Sequence, residues 1–170
     1  MERVMIIGCS GSGKSTLARK LGEKTGLPVV HLDRIWWKPG WVESSREEFD
    51  EKLLREIERP RWIMDGNYSR TMPQRFVRCD MVIYLDFNRV KCLWGVIKRV
   101  VTNYGKTRPD MGENCPERID WAFLKWVWNF NKKNRKRNYC WLANLRGKKV
   151  IILKNRRHVR KFLESILKDT

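Results

Sequence analysis

Val4-Met5-Ile6-Ile7-Gly8-Cys9-Ser10-Gly11-Ser12-Gly13-Lys14-Ser15-Thr16 is the stretch that decides the fold. Its first four residues form a short apolar run that ends at a glycine, the pattern of a strand buried on both faces. Gly8 to Ser15 match G-x-x-x-x-G-K-[ST] in full, and Leu17, Ala18 and Leu21 then recur at helical spacing. In such a strand–loop–helix unit, glycines let successive backbone N–H groups turn inward around an anion, and the helix aims its positive end at the same point. The reading therefore assigns Gly8, Ser10, Gly11, Ser12, Gly13, Lys14, Ser15 and Thr16 to the phosphates of ATP. Lys14 would reach the β- and γ-phosphates and Ser15 would ligate Mg2+. The plainer alternative is an ordinary glycine turn.

Working outward, Gly26 and Pro28 punctuate the end of the first helix, and Val29-Val30-His31-Leu32 reads as a second buried strand. Ser45 and Glu48 form a capping box for a helix running to about Glu58 and stopped by Pro60. Arg61 to Met64 supplies a third strand and Met81 to Leu85 a fourth, after which Asn88 caps a helix carrying Trp94, Ile97 and Val101. Val150 to Leu153 is a fifth strand, followed by a helix with Val159, Phe162, Leu163, Ile166 and Leu167 on one face. Residues 103–146 read as a basic, Gly- and Pro-containing lid and a long helix opened by Pro116. Strands that alternate with helices and are apolar throughout call for a parallel sheet covered on both sides. The expectation is one α/β domain over 1–170 with the lid as an insert.

Composition narrows the class. Lys and Arg number 37 against 19 Asp and Glu, a formal charge of +18, which attracts phosphates, nucleic acid or anionic lipid without choosing among them. The five cysteines are scattered and never spaced C-x-x-C, which speaks against a disulfide framework or a thiolate zinc site and for reduced thiols. No apolar run approaches the roughly 20 residues that span a bilayer. A cytoplasmic protein with no membrane partner is expected.

In an open parallel sheet the ligand lies beyond the carboxyl ends of the strands, so acids placed there face it. Asp33, Asp65 and Asp86 are the three such acids. Asp33 can accept a proton from a substrate hydroxyl, or simply cap its loop. Asp65, with Gly66 beside it, suits the metal's water shell. Asp86 reads as an ordinary helix-entry acid. Arg108, and after it Arg99, can close over a transferring phosphate, although in so basic a chain either can equally be a solvated surface charge. Trp37, in a cluster with Trp36 and Trp41, offers an acceptor wall or else a packed loop.

His31-Leu32-Asp33, Lys38-Pro39-Gly40-Trp41, Asp65 to Thr71 and Gly105 to Met111, taken with the phosphate loop, resemble the topology modulation (FlaR-type) proteins over essentially the whole chain. Those proteins are similar in organisation to adenylate and shikimate kinases. The resemblance implies a three-layer P-loop fold with a five-stranded parallel sheet in the order 2-3-1-4-5, like that of nucleoside monophosphate kinases. It also implies that Asp65-Gly66 orient a metal and that Arg70 grips the acceptor's phosphate, with Ser69 standing where a proline is usual.

Two functional readings follow. The first is a phosphotransferase that moves the γ-phosphate of Mg-ATP to a small molecule or nucleotide, with Lys14, Asp33, Arg108 and Arg99 catalytic and Asp33, Trp37, Asp65, Gly66 and Arg70 against the acceptor. The alternative is a nucleic-acid-binding ATPase or regulator. It would use Trp121, Trp126 and Trp128 with the basic tract Lys132 to Arg137, although the helical spacing of these aromatics also fits core packing. A nucleotide-binding scaffold without turnover shares the same loop.

Overall fold

Val4 and Ile6 face one side of the sheet and Met5 and Ile7 the other, and all four are fully buried because their strand is the central one. The computed structural model describes residues 1–166. Its elements run β1 (Arg3–Gly8), α1 (Lys14–Thr25), β2 (Val29–His31), α2 (Leu32–Trp36), β3 (Trp37–Lys38), β4 (Val42–Glu43) and α3 (Arg46–Ile57). They continue with β5 (Trp62–Asp65), α4 (Met72–Arg78), β6 (Met81–Leu85), α5 (Arg89–Asn103), α6 (Trp121–Ala143), β7 (Lys149–Leu153) and α7 (Arg156–Ile166).

The sheet order is β2-β5-β1-β6-β7, all parallel, and β3 and β4 make a separate antiparallel ribbon. With the ribbon set aside, the five strands lie in the expected order 2-3-1-4-5. One core layer joins Val4, Ile6 and Ile83 to Leu17 and Leu21 of α1, Val96 of α5, Val127 of α6 and Leu163 of α7. The other joins Met5, Ile7 and Met64 to Phe49 and Leu53 of α3, Phe76 of α4 and Leu142 of α6. The 23-residue α6 thus contributes to both layers, Val127 to one and Leu142 to the other.

Capping explains several boundaries. Ser45 Oγ accepts from Glu48 N at 3.1 Å and Asn88 Oδ1 from Lys91 N at 2.9 Å, which fixes the starts of α3 and α5. The helix expected from Pro116 begins instead at Trp121, where Asp120 Oδ1 accepts from Phe123 N at 2.9 Å. Pro116 is held back in an isolated bridge with Thr107, next to a bridge between Tyr104 and Glu117. The last strand begins at Lys149, and Leu167 lies outside the described residues.

The helix α5 forms as expected, and Trp94, Ile97 and Val101 lie on its outer side. Cys92, Val96 and Val100 face the core, whereas Trp94, Ile97 and Val101 are 66%, 39% and 74% exposed. The five cysteines are all free thiols, four of them buried.

Candidate active site

The phosphate loop rests on α5 through two glycines. A Cβ on Gly11 would lie 2.0 Å from the Cys92 carbonyl oxygen, and one on Gly95 would lie 2.2 Å from the Gly11 carbonyl oxygen. Both are backbone contacts, so neither position can hold a side chain without moving the loop. Gly13, at φ 92°, begins α1 without a side-chain cap, and the helix has no acid in its first turn. Its N–H groups and positive end are therefore open to an anion.

Side chains pin the loop from within. Ser12 Oγ and Lys14 Nζ both donate to the Cys9 carbonyl, at 2.7 and 3.1 Å. Asn67 clamps Gly8 from both sides, accepting from its N–H at 3.1 Å and donating to its carbonyl at 2.8 Å. Ser12 is fully buried, so of the residues assigned to phosphate, Ser12 and Gly8 serve the loop's shape, while Ser10, Gly11, Gly13, Lys14, Ser15 and Thr16 line a cavity of about 350 Å³.

Asp33, Asp65 and Gly66 reach the same cavity from the ends of β2 and β5, and Arg99 and Arg108 reach it from α5 and the segment after it. Asp33 accepts from Tyr68 Oη at 2.7 Å. Burial pushes its carboxyl above the usual range, and the Tyr68 hydrogen bond partly offsets that rise. Burial also pushes the Tyr68 phenol up, and the Asp33 charge beside it adds to this. Asp65 Oδ1 lies 2.6 Å from His31 Nδ1. Gly66 has φ +131°, and a Cβ there would come within 2.9 Å of Leu32.

Asp110, Glu117 and Arg156 join these groups, and the sequence reading had given them no role. Arg108 pairs with Asp110 at 2.5 Å and with Glu117, and Arg99 pairs with Glu117 at 3.1 Å. Burial disfavours the Asp110 carboxylate, yet the Arg108 charge and a hydrogen bond from Ser15 hold its pKa below the ordinary value. Burial, and then the neighbouring Arg108, lower that of Arg99. The Arg156 guanidinium lies so close to Gly13 that a Cβ there would sit 2.3 Å from Nη1. Asp110 stands inside the quoted Gly105–Met111 stretch, where an acid amid basic residues was the available signal.

A second cavity, of about 460 Å³, shares Ser10, Asp33, Arg99 and Arg108 with the first and is walled by Trp37, Trp41, Met111 and Phe123. Trp37 and Trp41 meet edge to face, their centroids 5.3 Å apart, whereas Trp36 packs on Phe49 and Tyr68 in the core. Arg70 reaches neither cavity. It makes a bidentate pair with Asp50, both contacts 2.6 Å, on the exposed surface. The arginine that turns inward is Arg75, fully buried, donating to the carbonyls of Gly66, Asn67 and Tyr68 at 2.9, 2.5 and 3.0 Å. Burial brings its pKa down to about 9.

Asp86 also differs from the helix-entry reading. It is buried and accepts from Arg135 at 2.8 Å and from Tyr139 Oη at 2.8 Å, tying β6 to α6. The donors on the cavity wall are hard oxygens, from Ser15, Asp33, Asp65 and Asp110, which suit Mg2+. Among the described residues no group of three or more His, Cys, Asp or Glu could hold a metal ion. A cation here would be held jointly with phosphate oxygens.

Comparisons with known proteins agree with this architecture. A family model described as an AAA domain matches residues 4–86. A curated relative from Pyrococcus furiosus, named "Putative adenylate kinase", is 32% identical over 89 residues, 48% of this chain and 47% of its own length. The match thus spans about half of that relative. Among solved structures, shikimate kinase from Acinetobacter baumannii in complex with shikimate superposes with a TM-score of 0.65 and 17% identity, covering 99% of this chain and 92% of that one. Deoxyadenosine kinase from M. mycoides superposes with a TM-score of 0.50 and 14% identity, covering 98% and 96%. The fold is that of the kinase-like P-loop nucleotide-binding proteins.

Proposed function

We propose that this protein is a kinase that transfers the γ-phosphoryl group of ATP, bound in the loop cavity, to a small acceptor held between Trp37, Trp41 and Phe123. The observation that carries the reading is the junction of the two cavities, whose common wall is Ser10, Asp33, Arg99 and Arg108. Phosphoryl transfer needs donor and acceptor in line, with positive groups over the moving phosphate and a base at the acceptor oxygen.

In this scheme the loop amides and Lys14 hold the phosphates, and Lys14 leaves the Cys9 carbonyl to do so. Arg99 and Arg108 stabilise charge on the transferring group, and segment 103–146 acts as the lid that excludes water. Asp33 takes the acceptor's proton, with Tyr68 fixing its orientation. Ser15, Asp65 and Asp110 are the residues that would hold Mg2+ together with the phosphates, and the chemistry it would supply there is neutralisation of phosphate charge. The relatives named as adenylate, shikimate and deoxyadenosine kinases support a small hydroxyl- or phosphate-bearing acceptor.

The nucleic-acid-binding reading suggested by the topology modulation resemblance would need open ring faces along α6. Trp126 instead stacks on Phe123 with centroids 5.7 Å apart, and Arg89 covers Trp128 at 4.3 Å, so one face of each of these two rings is occupied within the chain, while Trp121 stays 78% exposed. This favours the kinase. The test is a screen of nucleosides, nucleotides and hydroxylated ring acids for labelled phosphate from γ-labelled ATP, with Lys14→Ala as control. The proposal predicts transfer that Lys14→Ala abolishes. Tight ATP binding with no transfer to any acceptor would overturn it.

A further inference from the structure

The helix α5 is apolar on two sides, and only one of them is used by the fold. Cys92, Val96 and Val100 pack into the core. Val90, Trp94, Ile97 and Val101 follow one another at spacings of four, three and four residues and are 60%, 66%, 39% and 74% exposed. They form a line along the helix about 16 Å long at 1.5 Å per residue. Ile119 and Trp121, 58% and 78% exposed, continue it across an apolar groove of about 240 Å³ between α5 and the start of α6. Six large apolar side chains on one face of a chain carrying +18 formal charge are more than scattered surface residues.

The charges around this face choose its partner. Exposed Arg89, Lys91 and Lys98 flank the stripe on α5, and Arg118 and Lys125 flank it on the other side. The helix α5 carries no acidic residue at all, and Asp120, beside the groove, is already the cap of α6. A second copy of this chain brought against the face would set these cations against their own counterparts. Nucleic acid could stack on Trp94 and Trp121 but would leave the four aliphatic side chains Val90, Ile97, Val101 and Ile119 against a charged backbone. An anionic bilayer answers both features: aliphatic groups enter the acyl boundary, tryptophans sit at headgroup level, and lysines and arginines meet lipid phosphates. No helix among the described residues is long and apolar enough to cross a membrane, so the association would be peripheral.

We propose that the exposed face formed by Val90, Trp94, Ile97, Val101, Ile119 and Trp121 docks this protein on an anionic phospholipid surface. Arg118, Asp120 and Phe123 line both the groove and the acceptor cavity, so docking would bear on the outer wall of that cavity. The proposal departs from the sequence expectation of no membrane partner.

The test is sedimentation of the full chain with vesicles of phosphatidylcholine alone and of phosphatidylcholine with phosphatidylglycerol in equal parts. The expected result is binding to the anionic vesicles, weakened by salt, with little binding to the neutral ones. The double variant Trp94→Ser, Val101→Ser changes only exposed side chains and should bind at least about tenfold more weakly, since two of the apolar groups that would enter the acyl boundary are gone. Mg-ATP affinity and melting temperature, measured on the same variant, should not move, which separates failure of this proposal from failure of the kinase reading. Three results would overturn it: no sedimentation with either vesicle, sedimentation untouched by the double variant, or a dimer in light scattering that the double variant dissolves. Single-stranded DNA binding lost in the double variant would assign the face to nucleic acid instead.

Discussion

Gly95→Ala should damage this protein, although the same change in most helices is favourable. Replacing a glycine inside an exposed helix by alanine ordinarily adds about 1 kcal/mol of stability. Gly95 is in the middle of α5, but its new Cβ would lie 2.2 Å from the Gly11 carbonyl oxygen and 3.0 Å from the Gly11 carbonyl carbon. Ordinary carbon-to-oxygen contacts are about 3.3 Å or longer, so the phosphate loop or α5 must retreat by about 1 Å. Both neighbours are backbone and cannot step aside by changing rotamer. Overpacking of this kind costs about 1–3 kcal/mol, which cancels or outweighs the helix gain. The larger effect falls on function: a displacement of about 1 Å in a positioned group costs roughly a hundredfold in rate. Thermal melts and calorimetric titration with Mg-ATP measure the two consequences separately. We expect a melting temperature unchanged or lowered and nucleotide affinity clearly reduced. A variant that is more stable and binds Mg-ATP as the parent does would refute the claim that α5 is the bed of the loop.

Tyr68→Phe removes the donor that favours the ionised Asp33, so the Asp33 pKa should climb further. Because the base must be ionised, the acid limb of kcat/KM should move to higher pH, and an unmoved limb would mean that Asp33 is not the base. Arg75→Met strips the partners from three carbonyls in the 66–68 turn and should cost about 2–4 kcal/mol in urea unfolding. Glu117→Gln removes the carboxylate that pairs with both Arg99 and Arg108, leaving Asp110 and Asp33 as the nearby anions, and should destabilise by about 3 kcal/mol. Saturating Mg-ATP should recover much of that loss if both arginines face phosphate, and no recovery would place them elsewhere.

The sheet was legible because parallel strands, covered on both faces, read as unbroken apolar runs such as Met81 to Leu85. The phosphate loop was legible because its glycine spacing is a backbone requirement visible in the residues themselves. The outward stripe of α5 was not, since Cys92-Val96-Val100 and Val90-Trp94-Ile97-Val101 both satisfy helical periodicity and only the rest of the fold decides which is covered. Pro116 suits a first helical turn as well as Asp120 suits a cap, and the bridges of residues 104–107 with 116–117 settle the matter in favour of Asp120. Arg70 and Arg75 stand five residues apart. Which of them points inward depends on Asp50 of α3 and on the 66–68 carbonyls, both distant from a local reading. The pairing of Arg99 and Arg108 with Glu117 is equally non-local, so the sequence offered the arginines but not their anchor.

The most direct measurement is calorimetric titration of the parent chain and of Lys14→Ala with ATP in the presence and absence of Mg2+. The account predicts saturable binding to the parent, strengthened by Mg2+ and largely lost in Lys14→Ala while the melting temperature stays put. Equal binding by both chains, or none by the parent, would contradict it.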